Sequence, residues 1–385
     1  MSFKKLASCI CKHIRSICNK KKAKDTHNMY KNKVKSTLYM LKADHGDAFH
    51  LEVTDGEKTT NIIIDSGPLG SYLPTVKPLL DQFEFVDLCI ITHFDEDHSV
   101  GLATYLKEDP SRLKKFGELW LNSPDLIAAN TSSEVCAYSQ CNNLSTLIAK
   151  YEKENECTIN CHMEVKAGIT YTDPKRLVKI IVIAPTPESK KAFAQIYKEK
   201  YPADLYEQEE IGGKNTIRTL ERTLEDWAKT ELKKKEHVKQ TVNDCSISCL
   251  IETADKSYLM LGDIREDVVI PWLEKYKADN GHNLKVDYMK VPHHGSKKNI
   301  SEKLLGLIDC NNFIISTNGR YCLPDRYTIA KILFNRKPED REEIKIFFNY
   351  ERKSMEDDYH AYYLTDDEVK SGKYNFTPLI AGKCE

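Results

Sequence analysis

Two histidines and three acids fall in six consecutive positions, His93-Phe94-Asp95-Glu96-Asp97-His98, one residue after the apolar run Leu88–Ile91. Imidazole nitrogens and carboxylate oxygens in this density are the donors that divalent metal ions take. On an extended loop the alternate residues His93 and Asp95 can reach one ion, while the adjacent pair Asp97 and His98 turns towards a second. Alone, the stretch also reads as a solvated acidic turn, because aspartate is a turn former. Three further stretches weigh against that bland reading. Asp65 ends "NIIID", Asp263 follows "YLMLG", and His293 and His294 follow "YMKVP". Four apolar runs from distant parts of the chain each end in a potential ligand. If those ends share one sheet edge, Asp263 can bridge two ions. Two metals about 3.5–4 Å apart hold a hydroxide between them and polarise a phosphoryl or carbonyl oxygen, which is hydrolytic chemistry.

The elements that must position these residues are legible from residue 34 onward. "STLYML", "FHLEVT", "TNIIIDSG" and "FVDLCIIT" are short β-rich runs separated by Gly, Asp and Pro turns. Helical patterns follow at about 99–108 and 125–152, then a strand in "LVKIIVIAPT". A second β-rich set comprises "SISCLIET", "SYLMLGD", "VDYMKVPHHGS" and "NNFIIST", closed by a helix at 324–335 and the strand "EIKIFFNY". Two β-rich halves, each punctuated by helices, predict two sheets face to face with helices outside, an αββα four-layer sandwich. We expect a basic extension at 1–33, one domain at 34–350 with a charged helical insertion at about 188–238, and a tail at 351–385.

Composition narrows the function classes. Residues 1–35 carry eleven Lys/Arg and one acid, whereas the remaining chain carries 46 basic and 57 acidic residues. An acidic body excludes broad non-specific nucleic-acid binding by that body, though not a local groove. The basic extension places Phe3, Leu6, Ile10, Ile14 and Ile17 at helical spacing, which fits a helix touching a membrane surface or nucleic acid as well as a solvated tail. No apolar run reaches the roughly 18–20 residues of a transmembrane span, and the N-terminus lacks the pattern of a secretory signal. Thirteen scattered cysteines point to a reducing, cytoplasmic compartment.

The ordered motifs resemble the metallo-β-lactamase-fold hydrolases, and more narrowly the hydrolase domain of ComEC-type competence proteins. "ADHGDAFHLE" is similar to that family's G-x-G-D-A strand, "IIIDSG" to its L-I-D-G-G, "THFDEDHSVGL" to its His-x-His-x-Asp-His motif, and "KVPHHGS" is nearly identical to its counterpart. The resemblance covers about residues 36–335. It implies that His93, Asp95, Asp97, His98, Asp263 and one of His293 and His294 bind two divalent ions, zinc or manganese, with iron or magnesium as further options. It implies that Asp65 orients a ligand histidine and that Asp97 also orients the attacking hydroxide, while Ser296 and Lys297 either contact a substrate phosphate or simply form the loop turn. Asp95 stands where the family often has histidine, which makes the first site harder and more anionic. Leu323 stands where the family has a late histidine, so Arg320 or Tyr321 must take over any proton donation. No histidine matches the family's middle ligand except His162. That residue also follows Cys136, Cys141, Cys157 and Cys161, which together can form a structural zinc site. The implied activity is a metal-dependent phosphodiesterase or nuclease. Two other readings stand beside it: hydrolysis of a small phosphoester, nucleotide or lactone, and a metal-binding partner subunit docking through 188–238.

Overall fold

The computed structural model describes residues 33–122, 141–162, 164–199, 217–232, 242–336, 343–370, 375–378 and 383–384. The strands of the first half are β1 (Lys35–Met40), β2 (Phe49–Thr54), β3 (Thr59–Ile64), β4 (Val86–Ile90), β5 (Phe116–Trp120) and β6 (Cys161–His162). Next come β7 (Thr170–Thr172), β8 (Val178–Ala184), β9 (Ser248–Thr253) and β10 (Ser257–Met260). The rest are β11 (Leu284–Lys285), β12 (Tyr288–Lys290), β13 (Ile308–Asp309), β14 (Asn312–Ile315), β15 (Lys345–Phe348), β16 (Asn375–Pro378) and β17 (Lys383–Cys384).

These strands form two large sheets, ordered β17-β1-β2-β3-β4-β5-β6 and β16-β15-β14-β12-β10-β9-β8-β7. Alternation along the strands shows how the layers form. Ile62, Ile64, Leu88 and Ile90 point inward, against Val182, Ile251, Met260 and Ile314 of the opposite sheet. Their neighbours Ile63, Cys89 and Ile91 point outward, under a helix layer that includes Leu102, Leu106 and Ile148. On the far side, Leu259, Met289 and Phe313 lie under Leu273, Ile329 and Leu333. Central strands buried on both faces read as near-continuous apolar runs, as Leu88-Cys89-Ile90-Ile91 does. The architecture is the expected αββα sandwich.

The region after residue 350 is more than the expected tail. It supplies the helix Arg352–Tyr359 and one edge strand to each sheet, β16 beside β15 and β17 beside β1. Of the charged 188–238 segment, the helices Pro187–Glu199 and Leu224–Ala228 are described. Residues 200–216 and 233–241 lie outside the described residues, as do Cys136 and almost all of the basic extension. Among the described residues no helix is long and apolar enough to cross a membrane.

The pairing explains where chemistry can collect. β3, β4 and β5 run parallel, and so do β10, β12 and β14. Parallel sheets place the carboxyl ends of their strands along one edge, where α/β proteins bind ligands. The ladder continues a residue past each strand, with Asp65 N–H donating to Ile90 O, Ile91 N–H to Trp120 O and Val291 N–H to Ile314 O, all at 2.8 Å.

Candidate metal centre

The segment 93–98 is a short loop running into the helix Glu96–Glu108, with Asp95 at the N-cap. Asp97 and His98 therefore sit on the first helical turn rather than on the extended loop expected from the sequence. The helix buries His98, Gly101, Leu102, Tyr105 and Leu106, the i, i+3, i+4, i+7, i+8 stripe of an amphipathic helix, so His98 faces the core. Two glycines allow the close approach. A Cβ on Gly101 would stand 1.9 Å from Ser66 O, and one on Gly46 would stand 1.9 Å from Asp97 O. The second half delivers its residues at the ends of β10 and β12, where His293 N–H donates to Gly262 O at 3.2 Å.

Side-chain hydrogen bonds then aim the histidines. Asp65, in a left-handed backbone conformation (φ 59°), accepts from Thr92 N–H at 2.7 Å, from the Thr92 hydroxyl at 2.8 Å and from His98 Nδ1 at 2.9 Å. Because the Thr92 proton is committed to Asp65, His93 Nδ1, at 3.1 Å, donates to the Thr92 oxygen. His294 Nδ1 donates to Ser316 O at 2.8 Å. Each ring thus spends its Nδ1–H on an acceptor and turns Nε2 inward, the usual support for a ligating histidine.

The three Nε2 atoms are buried and have no hydrogen-bond partner, and the same holds for Asp47 Oδ1 and Asp95 Oδ1. They converge on Asp263 and Asp97. Asp263 Oδ2 lies 3.3 Å from His294 Nε2, 3.5 Å from His98 Nε2 and 3.9 Å from His293 Nε2. Asp97 Oδ2 lies 3.2 Å from His294 Nε2 and 3.7 Å from His98 Nε2. Ligand atoms of His93, His98 and Asp263 lie within 4.8 Å of one another, as do those of Asp97, His98 and His294, and those of Asp47, Asp263 and His294. In the metal-free protein these ring nitrogens have only carboxylates at ion-pair distance, and a divalent ion between them would be bound by both.

The electrostatics agree with the geometry. Burial works to raise Asp97 and Asp263, but His98 and His294 overcome it, joined at Asp263 by Lys290, so both carboxyls lie below their usual range. Burial would lower His98 and His294, yet the surrounding carboxylates hold both well above the usual imidazole value. Positive charge at the Nε2 positions is therefore favoured, and a proton competes with a metal ion for it.

Two residues that carry this arrangement had no role in the sequence reading. Lys290 is 1 % exposed and spends its ammonium on Asp47 Oδ2 at 2.5 Å, Asp263 Oδ1 at 3.0 Å and Gly262 O at 2.8 Å. It ties up one oxygen of each carboxylate. Burial opposes its charge, but Asp263 and Asp47 raise its pKa above the ordinary lysine value. Asp47 is likewise 1 % exposed. The available signals were a lysine inside an apolar strand run and the aspartate of the "GDA" motif, since charged side chains are almost never fully buried unless paired.

Other expected residues are placed as follows. His294 joins the clusters, while His293 stands at their margin, its Nδ1 3.5 Å from Asn243 Nδ2. Asp95 Oδ2 is 3.5 Å from His93 Nε2. Ser296 is buried, and Lys297 is engaged with Asp325 through its N–H at 2.9 Å and its ammonium at 3.4 Å. Arg320 and Tyr321 line a cleft. His162 is on the edge strand β6, 3.4 Å from Glu118 and about half exposed. Among the described residues no candidate metal cluster includes it, Cys157 or Cys161.

No family model matches the sequence, and no curated protein is similar to it. Among solved structures, Zn(2+)-bound PqqB from Methylobacterium extorquens is 10 % identical, with a TM-score of 0.37 over 89 % of this chain and 97 % of that one. The metallo-β-lactamase fold protein YhfI from Bacillus subtilis is 9 % identical, with a TM-score of 0.34 over 89 % and 97 %. A mutant of the CmlA β-hydroxylase is 11 % identical, with a TM-score of 0.35 over 90 % of this chain, which spans about half (53 %) of that structure. None of these likenesses bears on the chemistry, which rests on the site's own residues.

Proposed function

We propose that the protein is a divalent-metal-dependent hydrolase acting on phosphodiester bonds. The observation that carries this reading is the set of three buried Nε2 atoms without a hydrogen bond, of His93, His98 and His294, facing the carboxylates of Asp97 and Asp263. His93, His98 and Asp263 would hold one ion, with Asp95 adding a carboxylate beside His93. Asp97 and His294 would hold a second; His98 Nε2, with a single lone pair, would serve one of the two, and only the carboxylate of Asp263 is within reach of both. Two such ions supply Lewis acidity that activates water and neutralises charge on the phosphoryl oxygens.

The chain's own residues supply the rest. Asp65 and Ser316 fix the histidine tautomers, so the ligand set stays in place as charge develops. Asp97, on the first turn of its helix, orients the attacking water. As the new P–O bond forms and the old one breaks, the leaving oxygen needs a proton. The open side of the site offers His45, Arg320 and Tyr321. Of these, Tyr321 can give one up through its phenol, whereas an arginine stays charged and burial lowers the His45 pKa, which favours its neutral, non-acidic form. The resemblance to ComEC-type domains supports a nucleic-acid or nucleotide phosphodiester over a carbonyl substrate. A ligand set with this many carboxylates suits manganese as well as zinc.

The test is hydrolysis of bis(4-nitrophenyl) phosphate and of single- and double-stranded DNA with manganese or zinc added. Wild type is expected to turn over at least one of them, and Asp97→Ala and His98→Ala to fall to background. Equal activity in wild type and both variants would overturn the proposal.

A further inference from the structure

The cleft beside the metal cluster has a construction that the hydrolytic chemistry alone does not require. It holds about 530 Å³ and is lined on one side by the helix that begins at Glu96, next to the site residues Asp95 and Asp97. His45, two residues before Asp47, and the loop carrying Arg320 and Tyr321 line it as well. That volume suits a small ligand rather than a long strand. Its charges are mixed, with Asp44 and Glu96 against Lys107 and Arg320, whereas a polynucleotide track needs a basic stripe.

Within the cleft one wall is built from three side chains in mutual contact. Arg320 Nη1 donates to His45 Nδ1 at 3.4 Å, which leaves the His45 proton on Nε2 as a further donor. The Arg320 guanidinium lies 5.1 Å from the centre of the Tyr321 ring, and the His45 and Tyr321 rings meet edge to face at 5.7 Å. Among the described residues Arg320 forms no salt bridge. Tyr321 is 40 % exposed, and Leu69, which also lines the cleft, is 62 % exposed. Tyr359, fixed by Asn318 Nδ2 donating to its hydroxyl at 3.2 Å, completes the rim.

The backbone supplies an independent observation. Tyr321 and Cys322 both adopt left-handed conformations, φ 62° and 58°. For a bulky side chain this region is strained, and such residues persist where a site holds them in place. Here the strain holds an aromatic ring open to solvent beside an exposed guanidinium.

We propose, building on the phosphodiesterase reading, that this cleft recognises a nucleoside phosphate. Arg320 and His45 take a phosphate oxygen, and the base stacks on Tyr321 with Leu69 facing it. Arginine is the residue suited to phosphate oxygens, and an exposed tyrosine face accepts any base.

The test is calorimetric titration of the metal-stripped full chain with thymidine 5′-monophosphate and, separately, with inorganic phosphate. Wild type is expected to bind the nucleotide more tightly than phosphate. Tyr321→Gly removes the ring and relieves the left-handed backbone, so its melting temperature should not fall. It should weaken nucleotide binding about tenfold while leaving phosphate binding unchanged. Arg320→Ala should weaken both ligands. Absence of nucleotide binding by wild type, or a nucleotide affinity untouched in Tyr321→Gly, overturns the proposal. The binding measurement involves no metal and no turnover, so it is independent of the hydrolase test. Conversely, if the 4-nitrophenyl ester of thymidine 5′-monophosphate is hydrolysed with the same KM by wild type and Tyr321→Gly, the recognition proposal falls and the hydrolase reading stands.

Discussion

The two halves of the sandwich deliver their residues to the site by different means. The first half uses chain proximity: His93, Asp95, Asp97 and His98 lie within six positions, and Asp65 and Thr92 beside them set the ring orientations. The second half uses strand order: Asp263 and His294 are thirty-one positions apart and meet because β10 and β12 are parallel neighbours. Its organiser is a charge. Lys290, the last residue of β12, binds Asp263 from its own half and Asp47 from the other, and so links the sheets behind the ligands. Side-chain hydrogen bonds aim the rings of the first half, whereas the second half adds an internal cation to the backbone hydrogen bond that aims His294.

The largest expected effect breaks the second half. Lys290→Met leaves Asp47 and Asp263 buried without their cation and should destabilise the metal-free protein by about 3–5 kcal/mol in urea unfolding. Divalent metal should restore part of the loss, because an ion can replace the missing charge. Unchanged stability would mean that the lysine does not organise this half.

A smaller effect is expected from breaking the first half. Asp65→Asn replaces an acceptor-only group with an amide, so His98 loses its fixed tautomer. Metal affinity should fall about 10–100-fold with a modest change in stability. A metal titration giving the wild-type constant would contradict the hydrogen-bond account.

The smallest effect lies away from the site and serves as the control. Arg326, 1 % exposed, holds Glu368 through two hydrogen bonds of 2.7 and 2.8 Å, pinning the chain after residue 350 to the second half. Burial acts to raise the Glu368 carboxyl, but Arg326 holds it below 4.5. A depressed carboxylate stabilises the fold above its unfolded value and loses that contribution as pH falls through the folded value. Glu368→Gln should therefore cost about 1–2 kcal/mol at pH 7, with the gap from wild type closing as pH drops below about 4.5. Its metal affinity should be unchanged; a shift would show that the site feels this distant anchor.

What was legible in the sequence follows the same division. "HFDEDH" is local, so its residue types announced a site, and the apolar runs ending in Asp65, Asp263 and His293–His294 announced a shared sheet edge. The αββα layering was readable because strands such as "VDLCI" are buried on both faces. The unread parts depend on non-local partners. Lys290 gains meaning only when Asp47 and Asp263 are brought to it. Lys297 looked free to contact phosphate until Asp325, twenty-eight positions away, was seen to hold it. The strands after residue 350 were missed because single edge strands of two to four residues carry little periodic signal.

The central claim is that the two halves together form a two-ion site with the Asp263 carboxylate in reach of both ions. Calorimetric titration of manganese into the metal-stripped protein, checked by elemental analysis, tests it most directly. The account predicts two ions per chain for wild type and one each for His93→Ala and His98→Ala, with all three proteins folded. A wild type that binds no metal, or a His98→Ala protein that still binds two ions, would contradict it.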